Sequence, residues 1–164
     1  EDFYMKRKTL TDLLWQILLA VFVIVSDRAV KVYIIANCRQ GEVFGELPGV
    51  ADFLYVRNTG AAFSILNDNT ALLAVISIVF LIAVVLYKII RKPKHFMENL
   101  AVTLFFAGGL GNAIDRIQYK FVVDFIDLKW FDFPVFNIAD IAVVGGAIAA
   151  IIFVLFFDKE KKNG

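Results

Sequence analysis

Four runs of apolar residues decide what this chain can fold into: about Leu13 to Ala36, Thr70 to Ile90, Leu100 to Ala113 and Ile138 to Phe157. A helix needs roughly 20 apolar residues to cross the hydrocarbon of a bilayer. The first, second and fourth runs qualify directly. The third qualifies when it starts near Phe96 and runs to about Ile114. The predicted spans are therefore 13–36, 70–90, 96–114 and 138–157. Hydrophobic residues make up 60% of the chain and charged residues 20%, more apolar than a soluble domain of this size. At 164 residues the chain is one domain. The predicted fold class is a membrane all-α protein with four transmembrane helices and a small β element.

Orientation follows from lysine and arginine. One side holds Lys6, Arg7, Lys8, Lys88, Arg91, Lys92, Lys94, Lys159, Lys161 and Lys162. The other holds Arg39, Arg57, Arg116, Lys120 and Lys129. Ten against five places both termini in the cytoplasm. Met5-Lys6-Arg7-Lys8 reads as a natural start, with residues 1–4 left over from cloning. The first run is too long for a cleavable signal peptide, and no small-residue cleavage site follows it. The two long connections, about Asn37 to Asn69 and Asp115 to Asn137, then face outward. Within them, Phe53 to Val56 and Phe121 to Trp130 are rich in β-branched and aromatic residues, as strands are, and predict a small sheet on the membrane surface. Ala107 and Gly111, and Ala142, Gly146 and Ala150, repeat at four-residue spacing, which lets helix backbones approach closely.

Several function classes drop out. A formal net charge of +1 and the absence of a basic stripe give no nucleic-acid signal. Cys38, the only cysteine, reads as a free thiol, and His95, the only histidine, as a solvated loop residue among Arg91, Lys92 and Lys94. Serine–histidine, cysteine–histidine and zinc chemistry are therefore implausible.

The polar residues converge on the outer side. Asp27 and Lys31 are four apart on the first helix, acid before base, which favours an ion pair. Asn58, Thr59 and Gly60 precede the second helix, Asn112, Asp115 and Arg116 close the third, and Asn137 and Asp140 open the fourth. Each has a structural reading: Asn137 as an N-cap with Asp140 favoured by the helix dipole, Asp115-Arg116 as a neutralising pair, Asp124 as one solvated carboxylate near Asp127 and Asp132, Asp27-Lys31 as a buried pair. Carboxylates beside a bilayer are expensive, so their shared location argues for a site. Two carboxylates held close cannot both ionise cheaply, so one keeps a proton and the other acts as base. Such a pair can activate water and protonate a leaving amine. Asp140 opens a helix and is rigidly placed. Asp115 looks occupied by Arg116. Asp124 shares its strand face with Ile126 and Leu128, while Asp127 falls on the opposite face, so Asp124 is the better partner for Asp140.

Five motifs carry a resemblance: Asp27 with Lys31; Asn58-Thr59-Gly60-Ala61-Ala62-Phe63; Gly111-Asn112-Ala113-Ile114-Asp115-Arg116; Val122-Val123-Asp124-Phe125; and Phe136-Asn137-Ile138-Ala139-Asp140. In this order, across nearly the whole chain to Phe157, they resemble bacterial lipoprotein signal peptidase (signal peptidase II). The resemblance implies an intramembrane aspartic endopeptidase with Asp124 and Asp140 as catalytic dyad. Asn58, Gly60, Asn112, Asp115, Arg116, Asn137, Asp27 and Lys31 fall on its supporting or substrate-binding positions. It implies cleavage before the diacylglyceryl-modified cysteine of a prolipoprotein, inhibition by globomycin, no cofactor, and an inner-membrane enzyme in contact with lipid; the expected state is a monomer. The implied fold is four transmembrane helices with an extracytoplasmic β-cradle and a short surface helix. One departure is Arg28, where the family commonly has Gln; it would either snorkel outward or compete with Lys31 for Asp27.

The rival reading is a small proton-coupled transporter or channel, since buried acids also relay protons. Against it, the acids gather at one face and the two halves show no repeat. A structural subunit without chemistry leaves their common location unexplained.

Overall fold

The structure, a computed structural model, describes residues 2–60, 69–130 and 132–158. In chain order it contains α1 (Asp2–Asn37), β1 (Val43–Leu47), β2 (Ala51–Asn58), α2 (Thr70–Arg91), α3 (Phe96–Tyr119), β3 (Val122–Leu128) and α4 (Ile138–Ile152), which continues as a π-helical stretch, Phe153–Phe157. α2, α3 and α4 with its extension are each long and apolar enough to cross a membrane. α1 turns Leu18, Phe22 and Val25 outward, α2 Val79, Ile82 and Ile90, and α4 Ile148 and Leu155. Apolar side chains over so much of a bundle's outside are a surface made for lipid rather than water.

Two helices outrun their apolar runs. α1 begins at Asp2, well before Leu13, because helix elongation is easy once a long run has nucleated it and lysine and arginine are good helix formers. α3 ends only where Lys120 turns left-handed at φ 67°, so Asp115 and Arg116 lie inside the helix rather than beyond it. The short surface helix implied by the resemblance is not found among the described residues. The Ala61-Ala62-Phe63 part of the second motif lies outside them.

The predicted Phe53 to Val56 fall in β2, and β3 takes Val122 to Leu128 of the predicted Phe121 to Trp130. β1 was not anticipated, since Gly45 and Glu46 interrupt its alternation. The sheet is antiparallel in the order β1-β2-β3. Gly49, at φ 71°, makes the β1–β2 turn, which the Val50 N–H closes on the Leu47 carbonyl at 2.9 Å. Register sets Val56 opposite Asp124 and Asn58 opposite Val122. Beneath the sheet, Ile34 of α1 packs with Tyr55, Val123 and Phe125. The sheet is thereby seated on the C-terminal end of α1.

Deeper in the bundle, Val23, Ala107 and Ala142 form a second core. The small residues serve close packing here. A Cβ on Gly108 would collide with the Ala139 carbonyl oxygen, and one on Gly111 would lie 2.9 Å from Asp27 Oδ2. α3 can therefore press against α1 and the start of α4, which brings their polar residues into contact.

Candidate active site

The start of α4 sets one wall. Asn137 caps the helix: its Oδ1 accepts the Asp140 backbone N–H at 2.9 Å, and Asp140 Oδ2 accepts the Asn137 N–H at 3.1 Å. This reciprocal box fixes both side chains where the helix dipole favours negative charge. The capping reading of Asn137 is thus correct as local structure, and the same geometry presents a carboxylate.

β3 supplies the other acid. Asp124 is buried on the strand. Its Oδ2 accepts from Asn58 Nδ2 at 2.8 Å and its Oδ1 from Asn137 Nδ2 at 2.7 Å. Asn137 therefore bridges the two acids, one through its side chain and the other through its backbone. Burial, reinforced by the charge of Asp140, pushes the Asp124 carboxyl up to about 7, against the pull of the Asn58 and Asn137 donors and Lys31.

Behind the acids lies a fully buried charge network. Lys31 Nζ is 2.9 Å from Asp27 Oδ2, 2.9 Å from Asp115 Oδ2 and 3.0 Å from Asn112 Oδ1. Asp27 Oδ2 makes no well-angled hydrogen bond, but the ammonium at this distance is its charge partner. Asp27 Oδ1 accepts the Ala139 N–H at 3.1 Å, tying α1 to α4. Asp115 Oδ2 accepts the Val123 N–H at 3.2 Å, tying α3 to β3. Asn112 passes the network forward, donating from Nδ2 to Asp140 Oδ1 at 2.7 Å. Buried charges in a protein must be paired this thoroughly to be tolerated.

One expectation needs correction. Asp115 is braced, but by Lys31 and Arg28 of α1; Arg116 instead reaches the Ser77 hydroxyl of α2 at 3.4 Å. A helix places Arg28 three residues before Lys31 and so on the same face, which was the signal available in the sequence. Gly60 contributes its backbone, whose N–H donates to Asn58 Oδ1 at 2.9 Å. Asp127 lies opposite Asp52 on the sheet, apart from the acids. Among the described residues no group of three or more His, Cys, Asp and Glu side chains is arranged to hold a metal ion.

Residues 19–156 match the family described as Signal peptidase (SPase) II. The chain belongs to the signal peptidase II family. It is 41% identical over 138 residues to the lipoprotein signal peptidase of Streptococcus pneumoniae, covering 84% of this chain and 88% of that protein. It is 40% identical over 149 residues to that of Staphylococcus aureus, covering 90% and 91%, and 35% identical over 152 residues to that of Clostridium acetobutylicum, covering 91% and 98%. A bacterial membrane enzyme solved in meso at 2.3 Å superposes with a TM-score of 0.80 at 41% identity, covering 90% of each chain. A second, at 1.9 Å, gives 0.78 at 39% identity, covering 87% and 93%. This member of a peptidase family is therefore a membrane protein. Arg28, read from the sequence as a departure from the family resembled, does neither of the things expected of it. It pairs with Asp115 and is held over the Tyr119 ring, 5.6 Å from the centroid.

Proposed function

We propose that this chain is an intramembrane aspartic endopeptidase that removes the signal peptide of diacylglyceryl-modified prolipoproteins, with Asp124 and Asp140 as its dyad. The observation that carries the reading is the arrangement of donors. Four N–H groups, from Asn58, Asn112 and both nitrogens of Asn137, converge on two carboxyls, and one of those carboxyls is pushed up to about 7. A pair so held shares one proton at neutral pH, and burial favours its residence on Asp124. The other carboxyl takes a proton from water as the water oxygen bonds to the scissile carbonyl carbon. The protonated carboxyl gives its proton to the carbonyl oxygen. On collapse the C–N bond breaks, the proton taken from water passes to the leaving amine, and the proton on the former carbonyl oxygen returns to the carboxyl that gave it as the carbonyl re-forms. Arg116, electrostatically coupled to Asp124 and Asp140, adds positive charge beside the acids.

The membrane reading goes with it. α1 is the fourth spanning helix, both termini are cytoplasmic, and the sheet and dyad lie at the extracytoplasmic face of a bacterial inner membrane. The chain acts as a single-domain monomer, and globomycin occupies the substrate site. The test is incubation of the purified protein in detergent with a diacylglyceryl-modified prolipopeptide. Mass spectrometry should find one cut, immediately before the lipidated cysteine. A transporter or structural subunit would leave the peptide whole.

A further inference from the structure

Three asparagines touch the dyad, and the direction of each amide is set by a partner that can only donate. The Gly60 N–H takes Asn58 Oδ1, and the Asp140 N–H takes Asn137 Oδ1. Each of these locks is a backbone group two or three residues away. Asn112 is different. It sits inside α3, where backbone N–H groups are spent on the helix, and its Oδ1 is held by two side-chain donors, Lys31 Nζ from 81 residues away at 3.0 Å and Asn137 Nδ2 at 3.1 Å, the latter shared with Asp124 Oδ1 and the Val123 carbonyl. The Lys31 ammonium carries three donors and no acceptor, so the Asn112 atom 3.0 Å from it is the carbonyl oxygen, and Nδ2 must face Asp140. Asp27 and Asp115, both fully buried, hold the ammonium in place.

Building on the aspartic reading above, we infer that Lys31 is a positioning residue for the dyad: it holds the Asn112 carbonyl back so that the Asn112 amide donates to Asp140. Lys31 touches no reacting atom and acts through Asn112. Without it, the Asn112 oxygen keeps only the Asn137 Nδ2 contact, whose two hydrogens are spread over Asn112, Asp124 and the Val123 carbonyl, so the Asn112 amide is held more weakly and the dyad more often lacks a donor that favours its charged form.

Arg28 makes this separable from simple charge balance. It is a second cation on Asp115. In an Asp27→Asn/Lys31→Met variant, Asp115 keeps Arg28, the network stays neutral, and residue 27 still offers an oxygen to the Ala139 N–H. Among the described residues, the other charged groups nearby are Arg116 of α3, which faces Asp124, Asp140 and Asp115, Arg28 of α1, which pairs with Asp115, and Arg57 of β2, opposite Val123 and over the Phe121 and Tyr55 rings.

The experiment measures kcat, KM and the pH–activity profile of that variant on a diacylglyceryl-modified prolipopeptide in detergent, per folded molecule by globomycin binding. The expected result is a kcat lowered at least about 30-fold, KM within about threefold, and the acidic limb of the profile moved to higher pH. A purely structural lysine would reduce the folded fraction and leave kcat per folded molecule and the limb where they were, which overturns the inference. Should the variant not fold, Asn112→Asp retains an acceptor for Lys31 and offers no donor to Asp140. It should show the same loss and the same movement of the limb, and a wild-type profile would overturn the inference equally. The two readings fail differently. If Asp124→Asn and Asp140→Asn both cut normally, the aspartic reading falls. If they are dead and the Lys31 variant keeps a wild-type profile, only the role of Lys31 falls.

Discussion

The bundle carries a polar network at each end, and only one of them gathers donors on a pair of carboxyls. At the end away from the sheet, Lys88 of α2 donates to Gln16 Oε1 of α1 at 2.5 Å and to Asn99 Oδ1 of α3. Tyr87 donates to Glu98 at 2.7 Å. The parts resemble those at the dyad: a lysine, two amides and a carboxylate, here joining α1, α2 and α3 where the dyad's network joins α1, α3 and α4. The difference is where the donors end. Asn99 spends its amide hydrogens on the Pro93 and His95 carbonyls, in the α2–α3 turn, and Gln16 spends one on the Asp12 carbonyl. That network closes on backbone and fastens helices. An apolar cavity of about 380 Å³ beside it, lined by Phe80, Val84, Phe105 and Phe153 among others, shares no residue with the dyad's surroundings. At the sheet end the amides turn their hydrogens outward onto two acids. Burying polar groups is common to both ends; aiming donors at a carboxyl pair is what makes chemistry available.

The comparison can be broken in graded steps. Asn137→Ala removes the residue that bridges both acids and caps α4. Cleavage should fall about 100-fold, with about 1 kcal/mol of stability lost with the cap; steady-state kinetics and thermal melts separate the two. Activity as a function of pH comes next. The dyad needs one proton, so cleavage should decline as pH rises past about 7, where Asp124 loses it. Stability has the same sign. The folded state holds a proton on Asp124 that the unfolded chain has already released, so stability falls as pH rises from the ordinary carboxylate value, 3.8, to about 7. Melts across that window should show the fall in wild type and a flatter curve in Asp124→Asn.

At the other end, Lys88→Met should lower the melting temperature, by an amount equivalent to about 1–2 kcal/mol, and leave kcat within about twofold. A large kcat loss there would erase the distinction between the ends. The smallest effect belongs to Arg28→Gln. Lys31 still pairs Asp115, so the change should be worth about 1 kcal/mol or less and about threefold in activity.

Much of this was legible in the sequence. Run lengths gave the helices, and β-branched and aromatic density gave β2 and β3. Helical and strand spacing put Asp27 with Lys31 and separated Asp124 from Asp127. What escaped depended on neighbours distant in the chain. β1 forms because β2 offers an edge to pair with, not because Val-Phe-Gly-Glu-Leu is a strong strand. Asp115 looked committed to Arg116 because they are adjacent. On a helix adjacent residues diverge, and the partners came from α1. The direction of the Asn112 amide required Lys31 to be in view.

The most direct test of the central claim is cleavage of a diacylglyceryl-modified prolipopeptide by Asp124→Asn and Asp140→Asn beside wild type, with folding of each checked by globomycin binding. The prediction is that both variants bind globomycin and each loses at least about 1,000-fold in kcat. Near-normal cleavage by either folded variant would contradict the dyad.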